Sequence, residues 1–400
     1  MRKGTIFKDL GVIASLYIIL FVLIMYSGST FLSGFIMPLI CVLVVFLFCM
    51  AKVKGIQRKA FYNRRNHSIK IIMVLIVTFL LYQLSFSYDS STTLVFVERF
   101  AVYGLMFLFV PSVELNVRVI KAVRWYSFPV AISIILSTLI NGSKSGGMVG
   151  SYQFAGMMMS ISFGVMLINY YFDKNKMDMT GMVLTLVALF SSGKRAFTLM
   201  AIMAYILVVK LNNDPGKRKK FITLTSLMMI AVVAAYFTVP SVRLVLERFQ
   251  TYAGDTTYNG RAYYWEAAGQ IFLSHKFTGI GMGCFSQYFD VFFHRLGNLE
   301  AYDAHNVYIQ MAAELGIIGE GLVLALFIVC LAKTLMIFKS KTLKNDRDSM
   351  YVLVYSVFLQ IWFILYCMTG NPLYGAGQCF FYFSAVSMML SVCSRIRCES

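Results

Sequence analysis

The sequence predicts an all-α polytopic membrane protein with about twelve transmembrane helices. Three observations lead to this fold class. Hydrophobic residues make up 59% of the 400-residue chain and charged residues only 14%, a balance far from that of a soluble globular protein. Apolar runs of about 20 residues, long enough to cross a bilayer, recur along the chain. The basic residues are concentrated in the short segments between alternate runs.

The apolar runs give the predicted spans in chain order. The first follows a basic start, "MRKGTIFKDLG", and no small-residue cleavage site follows it, which indicates a retained span rather than a cleaved signal peptide. The predicted spans cover 8–27, 31–51, 69–87, 92–112, 123–141, 152–171, 178–192, 194–212, 221–239, 305–333, 350–369 and 376–393. Within one integral membrane domain, this places helices in 1–239, a long hydrophilic loop in 240–304, and the last helices in 305–400.

Charge predicts the orientation of these spans. With the N-terminus inside, 27 of the 36 Lys and Arg residues fall in inner segments, which is the positive-inside distribution. Both termini are therefore predicted to be cytoplasmic and the 240–304 loop extracytoplasmic. The net charge of +18 then reflects basic loops beside anionic lipid head groups, so we expect membrane lipids and no nucleic acid as partners. Eight scattered cysteines, with no CxxC pair, predict neither a disulfide framework nor a metal site.

The 240–304 loop contains two stretches with helical apolar spacing. They are "RAYYWEAAGQIFLS" at 261–274 and "CFSQYFDVFFHRLG" at 284–297, joined by the Gly-rich turn "TGIGMG". Their aromatic content suits the membrane interface. We therefore predict two short amphipathic helices at the outer face of the helix bundle.

The few cations on the predicted outer side are candidates for binding an anion, because arginine offers a planar fork of donors that matches phosphate. The candidates are Lys194 and Arg195 in "SSGKRA", Arg243 and Arg248 at the start of the loop, and Arg261. His305 lies where the loop returns to the membrane, and a histidine there can take a proton from an attacking sugar hydroxyl. Together these groups suit a pyrophosphate leaving group carried on a lipid.

Several of these residues also have a structural explanation. His305 would equally serve as the cap of a span, Lys194 as an interfacial anchor, and Arg248 as half of a surface salt bridge with Glu247, which is worth little. Glu314 follows His305 by nine residues. At about 100° per residue the two side chains lie on nearly opposite faces of a straight helix. We therefore predict that Glu314 packs inward and pairs with another helix.

The stretch "GRAYYWEAAGQIFLSHKFTGIGMGCF", followed by "AHNVYIQMAAELGIIGEG", resembles the signature region of the O-antigen ligase and O-antigen polymerase superfamily. These are bacterial membrane glycosyltransferases with a C-type fold. The shared pattern is an Arg followed by a Trp, a Gly-x-Gly turn, a His-Asn pair and a Glu-x-Gly that enters a span. In this sequence the pattern is formed by Arg261, Trp265, Gly279 to Gly283, His305, Asn306, Glu314 and Gly316.

The resemblance implies a glycosyl transfer that needs neither metal nor cofactor, at the outer face of the bacterial inner membrane. The donor would be an undecaprenyl-pyrophosphate-linked oligosaccharide, and a chain-length regulator protein is a further partner that the family admits. Catalytic roles are implied for His305, Arg261 and Arg195. The expected substrate-binding residues are Lys194, Arg243, Arg248, Trp265 and Asn306, and the expected structural residues are Glu314 and Gly316.

Three functions remain open from the sequence. Polymerisation of repeat units of a surface polysaccharide is favoured, because the full Gly-x-Gly loop looks more like that of polymerases. A ligase that transfers the glycan to lipid A–core shares the same chemistry. A flippase for lipid-linked oligosaccharides is the alternative from another class, but transporters tend to have paired half-repeats and charges near mid-membrane. One departure from the family stands out: where many relatives carry an Asn-Pro-Asn-like turn, this chain has "GSYQFAG".

Overall fold

The computed structural model describes residues 67–109, 117–141, 143–210, 261–293, 303–339 and 346–395, together with Leu343 and isolated positions between 216 and 243. These ranges are helical, and five helices are long and apolar enough to cross a membrane. The prediction of an α-helical polytopic membrane protein is therefore confirmed. The predicted spans at 8–27 and 31–51, and most of the one at 221–239, lie outside the described residues.

The described helices follow one another in chain order. They are α1 His67–Gln83, α2 Ser90–Phe109, α3 Val117–Asn141, α4 Tyr152–Asp173, α5 Lys176–Ser191, α6 Arg195–Lys210, α7 Arg261–Ser274, α8 Phe285–Phe293, α9 Val307–Phe338, α10 Arg347–Cys367 and α11 Ala376–Arg395. Short 3-10 turns at Gly147–Val149 and Pro372–Tyr374 precede α4 and α11. The chain forms two compact units. The first contains α3 to α6 and the middle of α10, and the second contains α1, α2, α7, α8, α9, α11 and the ends of α10.

Helix α4 is the centre of the first unit. Its residues 155–169 are all buried, as expected for an apolar helix that is surrounded by other helices. Ser160 accepts a hydrogen bond from the Trp362 indole at 3.0 Å and donates one to the Phe197 carbonyl at 3.0 Å. Gly164 leaves room for the Phe358 ring, which a Cβ would meet at 2.1 Å. Polar and steric contacts thus fix how α4 packs against α6 and α10.

A charged network closes one end of the same unit. Asp178 is fully buried and accepts hydrogen bonds from Arg124 and Asn169, both at 3.2 Å. Lys121 pairs with Asp173 at 2.5 Å. Removal of Arg124 would leave the buried charge of Asp178 uncompensated. The network therefore fixes the ends of α3, α4 and α5 together.

Helix α9 is the centre of the second unit and packs against α1 and α7. The α1 contact depends on Gly319, because a Cβ there would lie 2.4 Å from the Phe79 ring and 2.8 Å from the Leu315 Cβ. On another side of the unit, Tyr103 of α2 stacks on Phe383 of α11 with ring centroids 4.3 Å apart. Small residues therefore allow close helix approach at one contact, and aromatic stacking fills another.

Helix α9 offers a matched test of this packing. We expect Gly319→Ala to destabilise the protein by about 1–3 kcal/mol through overpacking against α1. Gly321→Ala is the control, because no atom lies within 4 Å of a Cβ at that position. The measurement is the thermal midpoint of the detergent-solubilised protein by fluorescence-detected size exclusion. Equal midpoints for the two variants would contradict the α1–α9 contact.

Candidate functional site

A break in α9 organises the site in the second unit. Gly316 has φ 61° and ψ −172°, so the helix stops at Leu315 and resumes at Ile317. The sequence predicted one uninterrupted span at 305–333, and a glycine inside an apolar run gave no sign of the break. The freed backbone groups bond to the loop 276–285, as buried groups must. Gly281 N–H donates to the Glu314 carbonyl at 3.0 Å, and Ile317 N–H donates to the Lys276 carbonyl at 2.8 Å.

Glycine is required on both sides of this junction. Gly279 has φ 68°, and a Cβ there would lie 2.2 Å from the backbone of Glu314. A Cβ on Gly316 would lie 2.5 Å from the backbone of Phe277. Neither position accepts a side chain without a shift of the main chain. The Gly-x-Gly turn therefore allows the 276–285 loop to reach the backbone of the broken helix, which is a structural reason for the motif.

Gln83, the last residue of α1, joins the same junction. Its amide nitrogen donates to the carbonyls of Thr278 and Glu314, both at 2.6 Å. Its side-chain oxygen accepts from Met282 N–H at 3.2 Å. One fully buried side chain thus bonds both to the loop and to α9. The sequence analysis missed Gln83, because a single glutamine at the end of an apolar helix carries no recognisable pattern.

The Glu314 carboxylate is buried and accepts four hydrogen bonds. The backbone N–H groups of Gly283 and Phe285 donate at 2.8 and 2.9 Å, the Tyr374 hydroxyl at 2.7 Å and the Gln310 amide at 3.1 Å. Burial and the adjacent Glu314 carboxylate raise the pKa of Tyr374 well above its usual range, so the phenol stays protonated and remains a donor. The carboxylate also caps the positive end of α8.

Gln310 connects Glu314 to the turn 303–306, which carries His305. Its amide nitrogen donates to Glu314 and also to Asp303 at 3.2 Å. Its oxygen accepts from Ala304 N–H and from the Asn371 amide, both at 3.0 Å. Because a glutamine has only one oxygen and one nitrogen for these bonds, its orientation is fixed. Glu314 therefore reaches the His305 turn through Gln310, although the two residues lie nine positions apart.

The turn places His305 immediately before α9. His305 has φ 52°, a conformation that few non-glycine residues adopt. Such strain persists where the surroundings enforce it and is common at functional sites. Here Trp265 donates its indole N–H to the Ala304 carbonyl at 2.9 Å, and Asn306 caps α9 by accepting from Tyr308 and Ile309. The residues on both sides of His305 are thus fixed, and the imidazole itself is half-buried.

Arg261 is the first residue of α7 and is half-buried. It precedes Trp265 by four residues, so the two lie on one face of the helix. Because Trp265 contacts Ala304, this face of α7 meets the His305 turn. A cation at a helix N-terminus adds to the positive end of the helix dipole, which costs stability and raises the local affinity for an anion. Trp265, His305 and Asn306 are therefore brought together, and Arg261 lies one helical turn before Trp265.

Arg99 is a second cation of this unit, and the sequence analysis did not single it out. It lies inside the apolar helix α2, where arginine is rare and usually functional. Its guanidinium donates to the Tyr374 carbonyl at 2.6 Å and lies 4.9 Å from the centroid of the Phe96 ring. Tyr374 is thus bonded at its backbone by Arg99 and at its hydroxyl by Glu314. Arg99 supports the site indirectly, through the partner of Glu314.

The remaining predicted residues belong to the first unit or lie outside the described residues. Lys194 and Arg195 belong to the first unit, where both are half-buried at the start of α6. Gly193 precedes them with φ 70° and allows the sharp turn between α5 and α6. Arg243 is exposed, and Arg248 lies outside the described residues. In the part of the chain that the structure describes, no three His, Cys, Asp or Glu side chains form a group that could hold a metal ion.

Comparison with known families gives a match that includes this region of the chain. A family described as O-antigen ligase matches residues 180–326. The matched segment contains Arg195, the α7–α8 region, the His305 turn and the break in α9. The resemblance to the O-antigen polymerase and ligase superfamily is thus confirmed for this segment of the chain. No curated protein matches the chain.

Glu314→Gln tests whether the carboxylate determines the loop position. An amide can accept on its oxygen only, so at least one of the four donors would face an NH₂ group. We expect a loss of about 1–3 kcal/mol for each donor left unsatisfied, together with faster proteolysis within 276–293. Limited proteolysis and the thermal midpoint measure this. Glu320→Gln, on the same helix and half-buried, is the matched control and should behave as the wild type.

Trp265→Phe separates positioning of the turn from general packing. The substitution removes the indole N–H that bonds to Ala304 but keeps an aromatic ring in the α7 cluster. We expect loss of one hydrogen bond, about 0.5–1.5 kcal/mol, and a clear fall in polysaccharide synthesis at unchanged protein level. Trp125→Phe is the control, since Trp125 is largely exposed on α3. Full synthesis by Trp265→Phe would show that the bond does not position the turn.

Proposed function

We propose that the protein polymerises repeat units of a surface polysaccharide. In this proposal the donor is an undecaprenyl-pyrophosphate-linked oligosaccharide and the acceptor is a second lipid-linked unit. The family match supports polysaccharide synthesis of the O-antigen ligase and polymerase type. The observation that carries the finer proposal is the His305 turn, which is fixed on both sides and bonds to Trp265, one helical turn after Arg261. Preorganised groups of this kind are what a transfer reaction needs.

The proposed chemistry is a direct displacement. A neutral His305 imidazole accepts the proton of the acceptor hydroxyl, whose oxygen attacks the anomeric carbon of the donor. The bond between this carbon and the pyrophosphate oxygen breaks, and the lipid pyrophosphate leaves with the electron pair. Arg261 stabilises the charge that develops on the leaving group. Arg195 enters the proposal only through the family pattern, which implies a catalytic role for it. Arginine side chains would supply the charge that a metal ion would otherwise supply.

The proposed topology follows from the sequence. About twelve spans with both termini in the cytoplasm would place the 240–304 loop, and with it α7 and α8, on the outer face of the bacterial inner membrane. Membrane lipids are then partners along all spans, and a chain-length regulator is a candidate protein partner. Lys194, Arg243 and Arg248 are proposed to add to the positive field that attracts the lipid pyrophosphate. Trp265 and Asn306 contribute by fixing the turn.

A ligase is the second candidate, because the matched family is described as O-antigen ligase. A ligase would use the same donor chemistry and would transfer the glycan to lipid A–core. The two functions differ in the product that accumulates when the gene is absent. A deletion strain that carries a single repeat unit on its core and no ladder indicates a polymerase. A bare core with accumulated lipid-linked polymer indicates a ligase.

Rescue of the deletion strain tests the proposed site. We expect His305→Ala to lower synthesis by about 100-fold or more, the range lost with a general base. Arg261→Lys keeps the charge but loses the planar fork of donors, and we expect it to fail as well. The measurement is the surface polysaccharide on a gel, with membrane levels of each variant checked by blotting.

Lys276→Ala is the control for this rescue, because the Lys276 side chain is exposed and only its carbonyl contacts α9. It should restore normal glycan. Normal glycan from both His305→Ala and Arg261→Lys would refute the proposed site. A deletion strain that accumulates lipid-linked single units at the inner leaflet would instead favour the flippase.

A further inference from the structure

The segment "GSYQFAG", which departs from the family pattern, forms the start of α4 in the first unit. Its tyrosine, Tyr152, is the first residue of the helix, and its side chain is 38% exposed. Two ammonium groups approach its ring. The Lys144 nitrogen lies 4.2 Å from the ring centroid, and the Lys194 nitrogen lies 4.7 Å from it. We call these three residues the Tyr152 cluster.

Lys194 is held in this position by the backbone. Gly156 lies one turn after Tyr152 on the same face of α4. A Cβ at Gly156 would lie 2.9 Å from the Ser192 hydroxyl and 3.0 Å from the Lys194 Cβ. The turn between α5 and α6 therefore packs directly on α4, and Gly156, the last residue of "GSYQFAG", makes this approach possible. A larger residue at 156 would move Lys194 away from the ring.

Lys144 is likewise positioned by an ordered turn. The neighbouring Ser145 hydroxyl bonds to the Ser137 hydroxyl of α3 at 2.6 Å and accepts from Gly147 N–H at 3.0 Å. Gly147 packs so closely on α3 that a Cβ would lie 2.6 Å from the Ile134 nitrogen. The turn therefore has two hydrogen bonds and one backbone contact that fix it. The Lys144 side chain is exposed, but the ordered turn fixes the position of its backbone.

The cluster combines features that suit an acidic sugar. Two cations at one ring repel each other, and both attract an anion that comes between them. The positive ends of α4 and α6, which begin at Tyr152 and Arg195, add to the same field. Both ammonium groups lie over a ring that is partly exposed, so an acidic substituent that reaches the ring meets two cations at once. A neutral sugar gains nothing from these charges.

We propose that the Tyr152 cluster binds an acidic substituent, a carboxylate or a phosphate, on the glycan that the enzyme transfers. The inference rests on the proposed transferase function and names the substrate class of that function. The source of the anion is taken to be the sugar and not a lipid head group. Recognition of anionic lipids by charge alone uses clusters of about four to eight basic residues, whereas this cluster pairs two lysines with an exposed aromatic ring.

Binding to the full-length protein in phosphatidylcholine nanodiscs tests the proposal. The probes are a fluorescent hyaluronan tetrasaccharide, which carries carboxylates, and chitotetraose, which is neutral. We expect the wild type to bind the acidic probe at least about tenfold more tightly. Tyr152→Leu and Lys144→Gln should each reduce this preference by about fivefold or more. Lys210→Gln removes an exposed lysine at the other end of α6 and should retain it.

Equal binding of the two probes by the wild type, or an unchanged preference in Lys144→Gln, would overturn the proposal. The proposal would also be overturned if the wild type bound neither probe but bound phosphatidylglycerol in a way that depends on Lys144, because the cluster would then bind lipid. Binding is measured without turnover, so the result does not depend on the transfer step. Failure of the transferase function would appear in the rescue of the deletion strain and not in this measurement.

Discussion

The interaction on which the second unit depends is the burial of the Glu314 carboxylate among four hydrogen-bond donors. A buried carboxylate is costly unless it is fully hydrogen-bonded. Here the donors come from the Gly-rich loop, the start of α8, the turn before α11 and α9 itself. The bonds therefore attach the Gly-rich loop, the start of α8 and the turn before α11 to α9 at one point. Any displacement of these segments would leave the buried carboxylate with fewer donors.

This arrangement explains how a strained turn can persist immediately before the N-terminus of α9. His305 has a positive φ, and the cost is met by bonds on both of its sides. The path from Glu314 to the turn passes through one glutamine, Gln310, whose oxygen and nitrogen are both in use. Groups that are ordered before the substrate arrives need no reorganisation during the reaction. The break at Gly316 contributes by making the first part of α9 a short segment that bonds to the loop.

Several features of the site could be predicted from the sequence. Apolar length predicted the five described helices that can cross a membrane, and the few charges in an apolar chain predicted the functional candidates around His305. The interval between His305 and Glu314 predicted opposite faces of a straight helix. In the structure His305 precedes the helix, and Gln310 bridges the interval. Gln83 could not be predicted, since its partner Glu314 lies 231 residues away. The roles of Arg99 and Tyr374 likewise arise from contacts distant in sequence, for which neither periodicity nor motif gives a signal.

The junction between the loop and α9 has a consequence for how the protein can diversify. Lys276 and Phe277 give only their carbonyls to α9, while their side chains point outward, Phe277 with 69% of its surface exposed. The main-chain hydrogen bonds at these positions therefore do not depend on which side chains are present. Substitutions there can alter charge, bulk or hydrogen bonding at the rim of the site while the main-chain bonds remain. Variation at these two positions can thus change what the exposed surface of the loop contacts, while the main-chain bonds to α9 are retained.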